Sequence, residues 1–326
     1  MVGRRSYHLA ETKQMNHIHA IDLSNWIHRA YYVAPAELSA NGEPTGAAKI
    51  FINMVEALVS KVKETAGKND KHFFVFAVDC PREKSNRYLK VARWAKKRGL
   101  DENHLYKAGR DDDPEKRASI RSQIKLVLKM LEVSGFPLFA ADGAEADDVL
   151  ATISFIFKDD PNIRVWLYTR DKDCAQLLKH KNTSIIMPDT GNAKQIVLST
   201  SKDCIAKYGV PPKRIVDYLT MLGDKADNIP GIPGLGESKA AAALKQYGSL
   251  SSALEDPDFV KRFKSLREDS LVMPVKMMRN LIRLDTEVQG IPTDLDEYAR
   301  KPLTDKRVER MRKLRKKYRF SSLFGA

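Results

Sequence analysis

A chain of 326 residues, 43% hydrophobic and 30% charged, is long enough for two domains and apolar enough for a sizeable core, which excludes a disordered protein. Its 56 Lys and Arg against 42 Asp and Glu leave a formal net charge of +14, a balance met in some ordinary basic enzymes but favouring a polyanionic partner, most often nucleic acid. No apolar run approaches the roughly 20 residues of a membrane helix, no hydrophobic leader follows Arg4 and Arg5, and the three scattered cysteines, Cys80, Cys174 and Cys204, form neither a disulfide framework nor a CxxC metal pair, so a reducing cytosol is expected.

In chain order, residues 1–17 show no periodicity and read as an N-terminal extension, with residues 1–14 dispensable. Apolar β-rich runs follow at Ile18–Ile21 and Phe73–Val78. Ile120, Ile124, Val127, Leu128 and Leu131 recur on one helical face that Gly135 ends. A second helix begins near Ala144 and carries Leu150, Ile153 and Phe157 inward, and a third strand runs over Val165–Tyr168. Strands alternating with helices predict an α/β fold with a central, mostly parallel sheet flanked by helices on both faces. From about Pro211 onward the pattern is helical, interrupted by the Gly/Pro-dense hairpin Ile229–Gly236 and closed by a tail with nine Lys or Arg between Lys306 and Arg319. This divides the chain into an α/β core over 18–216 and a helical C-terminal region over 217–326.

The acids carry the chemical signal. Each strand-like run leads into aspartate: Asp22, Asp79, and the pair Asp171 and Asp173. The carboxyl ends of parallel strands converge on one crevice, so these distant residues are expected to meet. Glu145, Asp147 and Asp148 stand at a helix N-terminus, where the macrodipole favours negative charge, and Asp224 and Asp227 are spaced to face one way from one helical turn. Any single one is as well explained as an N-cap. Nine together in a basic chain would repel strongly unless divalent cations sat among them, and hard oxygen donors suit Mg²⁺ or Mn²⁺. Two such ions can activate water and stabilise the leaving oxygen of a phosphoryl transfer, which points to metal-dependent cleavage of nucleic acid.

The motifs IDLSNWIHRAYY (21–32), GEPTGA (42–47), GAEADD (143–148), TRDKD (169–173) and GDKADNIPGIPGLGESKAA (223–241) resemble those of the flap endonuclease or 5′-nuclease family, which includes the N-terminal nuclease domain of bacterial DNA polymerase I. The resemblance covers roughly 18–290. It implies a two-metal site with Asp22, Asp79, Glu145 and Asp147 in one cluster and Asp148, Asp171, Asp173, Asp224 and Asp227 in the other. It implies hydrolysis of DNA with 5′ single-stranded flaps or ends, and of RNA primers, by a monomer acting as 5′-3′ exonuclease and flap endonuclease in replication or repair. With no polymerase region after residue 326, a stand-alone enzyme of bacterial or phage-infected cells is expected.

The resemblance also implies a helical arch, placed at about 82–125, where 14 Lys or Arg and seven acids interleave with Tyr88, Trp94 and Tyr106. Such a mixture suits single-stranded nucleic acid, with charge along phosphates and rings on bases; a solvated basic helix is the plainer alternative. Tyr106-Lys107-Ala108-Gly109-Arg110 resembles the arch motif in which Lys107 and Arg110 would contact the scissile phosphate, with Arg87 or Tyr88-Leu89-Lys90 as alternatives. The hairpin lacks the Lys-Ser/Thr of a P-loop and has no preceding strand. It resembles instead a helix-hairpin-helix, at about 227–244, whose Gly231, Gly234, Gly236 and Lys239 would hold duplex phosphates without reading sequence, with a K⁺ ion in some relatives. His17, His19 and His28 are expected to be packing or surface residues. A haloacid-dehalogenase-like phosphatase is disfavoured because Asp22 opens no early DxD, and a non-catalytic DNA binder would gain nothing from so many acids.

Overall fold

The structure is a computed structural model that describes residues 14–34, 42–101, 106–108, 113–188, 195–267 and 272–324. The first 13 residues of the expected extension, and Gly109 and Arg110 of the arch motif, lie outside these.

Six strands form one sheet in the order β3-β2-β1-β4-β5-β6: β1 Asn16–Asp22, β2 Lys71–Ala77, β3 Leu138–Phe139, β4 Ile163–Tyr168, β5 Thr183–Pro188 and β6 Gln195–Leu198. All neighbours pair in parallel except β6, which returns antiparallel on β5. The helices are α1 Leu23–Val33, α2 Gly46–Thr65, α3 Asn86–Lys97, α4 Pro114–Val133, α5 Ala146–Ile156, α6 Ser201–Tyr208, α7 Ile215–Leu222, α8 Glu237–Tyr247, α9 Leu250–Glu255, α10 Pro257–Arg262, α11 Lys264–Arg267, α12 Val275–Ile282 and α13 Asp305–Tyr318.

Successive strand residues face opposite sides, and both sides are covered. Ile18, Ala20, Val75, Ala77, Val165 and Leu167 pack with α3, α5 and the helices from α7 to α12. Ile21, Phe74, Phe76 and Tyr168 pack with α1, α2, α4 and α13. The helical C-terminal region therefore shares its core with one sheet face, and the boundary expected at 216 falls inside α7.

The arch segment also departs from its expectation. Val91, Trp94 and Ala95 fall at helical spacing on α3, and all three are buried. Trp94 thus belongs to the core and presents no stacking face, while Tyr88 is half-buried under the guanidinium of Arg82. In the hairpin, Gly231 has φ 69° and is buried where a Cβ would meet the backbone nitrogen of Gly223 at 2.5 Å. Its lack of a side chain serves this close approach of two backbones. The exposed Gly234, Gly236 and Lys239 remain available to a ligand, with Gly236 capping α8 and Lys239 Nζ donating to the Gly234 carbonyl at 3.2 Å.

Candidate active site and metal centre

The fold gathers the acids at the carboxyl edge of the sheet. Asp22 ends β1 and caps α1, accepting from the Asn25 N–H at 2.9 Å and from the Thr169 hydroxyl at 3.0 Å. Asp79, just past β2, accepts from the Ala146 N–H at 2.7 Å and so touches the N-terminus of α5. Glu145 is the N-cap of that helix, with Asp147 and Asp148 in its first turn. Asp171 caps the 3₁₀ segment Lys172–Lys179 through the Asp173 N–H at 2.8 Å. Asp224 lies in the turn after α7 and pairs with Lys172 Nζ at 3.0 Å. Asp227 accepts from the Tyr106 hydroxyl at 2.8 Å, and that hydroxyl also lies 3.2 Å from Glu145.

Two cations reach into the cluster. Arg87, at the start of α3, contacts Glu145 at 2.9 Å, Asp147 at 3.1 Å and Asp148 at 2.6 Å. Lys107 Nζ lies 2.7 Å from Glu145, and its left-handed backbone (φ 59°) is held by its own N–H donating to the Asp227 carbonyl at 3.0 Å. Burial would raise the Glu145 carboxyl, but Lys107 and Arg87 outweigh it and hold its pKa at about 2. Burial also opposes the charge on Arg87, which Asp147, Asp148 and Glu145 keep protonated.

At four other acids, burial and neighbouring carboxylates outweigh the nearby cations. Burial, then Asp79, pushes Asp22 up to about 8. Burial and Asp147 push Asp148 up to about 7 despite Arg87, and Asp171 up to about 6. Asp173 is driven well above the carboxylate range by burial, Asp171 and Asp147. Among the described residues, no Lys or Arg nitrogen comes within ion-pair distance of Asp22, Asp79, Asp171 or Asp173. Carboxylate oxygens gathered at one edge of the sheet are hard donors of the kind that divalent ions take.

Several positions differ from the sequence reading. Tyr106 is only 2% exposed, so its hydroxyl serves the acids and its ring does not stack on a base. Arg87, named only as an alternative, makes the densest set of contacts in the cluster. Ser85, which donates to Glu145 at 2.8 Å, Thr169 and Lys172 were not singled out. Ser85 also caps α3, and a Ser just before a helical run is the signal that finds it.

Acids gathered at the carboxyl edge of a mostly parallel sheet, within a strongly basic chain, define a divalent-metal-dependent nuclease. The chain matches the family models of the 5′-3′ exonuclease N-terminal resolvase-like domain over residues 17–209 and the 5′-3′ exonuclease C-terminal SAM fold over residues 210–306, and it belongs to the 5′-3′ exonuclease family. It is 28% identical over 304 residues to a 5′-3′ exonuclease of Aquifex aeolicus, covering 93% of each chain. It is 32% identical over 292 residues to DNA polymerase I of Rhizobium leguminosarum, covering 88% of this chain and 26% of that much longer one. In fold it is similar to T5 5′-exonuclease with bound zinc (TM-score 0.59, 18% identity, 91% of this chain and 99% of that one) and to the catalytic core of Rad2 in complex with DNA substrate (TM-score 0.56, 15% identity, 93% and 88%).

Proposed function

We propose that this nuclease is structure-selective, cutting DNA with 5′ single-stranded flaps or ends and removing RNA primers, as a monomer in the cytoplasm of a bacterial or phage-infected cell. The observation that carries the reading is the set of carboxyls Asp22, Asp171 and Asp173, which among the described residues have no Lys or Arg at ion-pair distance, near Arg87 and Lys107, which reach the neighbouring acids. Asp22, Asp79, Glu145 and Asp147 would hold one Mg²⁺ or Mn²⁺, and Asp148, Asp171, Asp173, Asp224 and Asp227 the other. When bound, the ions supply a water of lowered pKa and charge to stabilise the leaving oxygen.

The chain's own residues do the rest. Lys107 and Arg87 offer nitrogens to the scissile phosphate, with Arg110 a further cation of the same motif. Tyr106 donates its hydroxyl proton toward Glu145 and Asp227 and fixes where they point. Burial and Asp79 favour the protonated form of Asp22 in the metal-free site, and its oxygens bind a cation only as the carboxylate, so cation and proton compete there. Gly234, Gly236 and Lys239 hold duplex phosphates at the N-terminus of α8, with Gly231 shaping the hairpin, which would also take a K⁺ ion.

The test is Asp147→Asn on a 5′-labelled flap substrate in Mg²⁺, with p-nitrophenyl phosphate as the control for a general phosphatase. Removing one negative charge weakens cation binding and lessens repulsion of phosphate, so flap cleavage should vanish while gel-shift affinity holds or tightens. Cleavage within tenfold of wild type would overturn the assignment.

A further inference from the structure

A second cluster of ligating side chains lies at the opposite, N-terminal edge of the sheet. About five residues of β1 separate His17 from Asp22, roughly 16 Å at the usual strand rise. The parallel register sets His17 directly beside His72, and their rings stack at 4.7 Å between centroids and 12° between planes. Asp70, one residue before β2, is held by the Met15 N–H at 3.1 Å and brings Oδ2 to 3.6 Å from His17 Nε2. One donor atom from each of His17, Asp70 and His72 lies within 4.8 Å of the others.

The surrounding hydrogen bonds leave one atom unexplained. His72 Nδ1 is 3.0 Å from His19 Nε2, and His19 Nδ1 is 2.9 Å from the Tyr168 hydroxyl. With His72 Nδ1–H donating to His19 Nε2 and His19 Nδ1–H donating to the Tyr168 oxygen, both bonds are made by neutral rings. The lone pair of His72 Nε2 is then buried and, among the described residues, unpartnered. A histidine that ligates a metal typically donates its other N–H in this way. Burial lowers the pKa of His17 and of His72, against the pull of Asp70, and so favours the neutral rings that bind a cation.

We propose that His17 Nε2, Asp70 and His72 Nε2 form a site for a borderline divalent transition ion of the zinc class, separate from the acidic cluster. Two imidazoles and one carboxylate suit such an ion better than Mg²⁺, and solvent reaches His17 and Asp70, whose side chains are 17% and 24% exposed. Binding moves the His17 proton from Nε2 to Nδ1, which breaks the 3.1 Å bond from the Trp166 indole N–H to Nδ1. The ion would fasten the first residues of β1 to the turn that begins β2.

The test titrates the full chain with Zn²⁺ alone as probe, in saturating Mg²⁺ to occupy the acids, and follows stoichiometry by calorimetry and indole emission by fluorescence. Wild type should take up one Zn²⁺ with a change in emission that Trp166→Phe removes. His72→Gln and Asp70→Asn should each weaken uptake at least tenfold while keeping Mg²⁺-dependent cleavage. Should a variant fail to fold, the Co²⁺-loaded wild type still decides, because four-coordinate ligation by imidazoles gives strong, red-shifted visible bands where six-coordinate oxygen ligation gives only weak ones. No Zn²⁺ uptake in Mg²⁺, equal uptake by the folded variants, or a Co²⁺ spectrum lacking those bands overturns the proposal.

Discussion

Replacing Arg87 by Met removes a guanidinium that three carboxylates share at 2.6–3.1 Å, in a side chain only 8% exposed. Methionine keeps most of the apolar stem, so the change isolates the charge. Breaking a buried ion pair costs about 3–5 kcal/mol because the abandoned charges stay buried. An unfolding entropy of about 2.1 cal/mol/K per residue gives roughly 0.7 kcal/mol/K for this chain, so Tm should fall by about 4–7 °C in EDTA. Two further signatures separate this account from simple loss of packing. Saturating Mg²⁺ should return much of the loss, because a cation held by the same carboxylates replaces the missing charge. The loss in EDTA should also be larger at pH 8 than at pH 6, where the orphaned carboxyls can take up protons. Thermal unfolding by circular dichroism in the four conditions is the assay. An equal drop in all four would refute the view that Arg87 and metal compensate the same charges.

In single-turnover cleavage at saturating flap substrate, Lys107→Met should slow the step by about 10²–10³-fold, the usual cost of one pre-placed electrostatic stabiliser. Lys239→Ala should leave that rate unchanged, weaken binding and reduce the log–log salt slope by about one; the reverse pattern would refute this division. A third expectation concerns pH. Folded pKa values of about 8 for Asp22, 7 for Asp148 and 6 for Asp171 lie above the ordinary 3.8, so their contribution to stability is complete below that value and is lost as pH rises through the folded values. Glu145, held at about 2, acts oppositely, contributing above pH 4.5 and losing that contribution only as pH falls through 2. The metal-free protein should therefore lose Tm from pH 6 to pH 8, and Mg²⁺ should raise Tm more at pH 8; a metal-free Tm flat across that range would contradict the burial of these acids.

The three central strands are legible in the sequence because each is a continuous apolar run, as a sheet covered on both faces requires. β3 has two residues and no pattern to detect, while β6 exposes Ile196 and Val197 at the sheet edge and so lacks the apolar alternation of a half-buried strand. The acids were legible as a group because they cluster beside these runs. Arg87 was not, since in sequence it is one of many cations, and its partners lie 58–61 residues away. The burial of Trp94 follows from the spacing of Val91, Trp94 and Ala95, but the charges around them suggest a surface helix. His72 approaches His17 only because β1 and β2 pair in parallel, a register that no local pattern announces.

The distribution of charge imposes an order on substrate engagement. With acids gathered at the carboxyl edge of the sheet, the rest of the chain is more positive than its net +14, so a polyanion is attracted to the exterior and repelled by that edge. Arg87 and Lys107 relieve that repulsion most at Glu145, Asp147 and Asp148, which they touch, and less at Asp22, Asp171 and Asp173, where burial raises the pKa. A phosphate entering the metal-free pocket would face ionised acids, and a divalent cation entering first would displace protons and turn the same oxygens into its ligands. Basic grip outside the pocket and a phosphate-competent pocket are thus separate conditions, the first governed by ionic strength and the second by cation and pH. DNA binding should accordingly survive chelation while cleavage does not, and raising salt in the presence of Mg²⁺ should weaken binding without changing the cleavage rate of the bound complex.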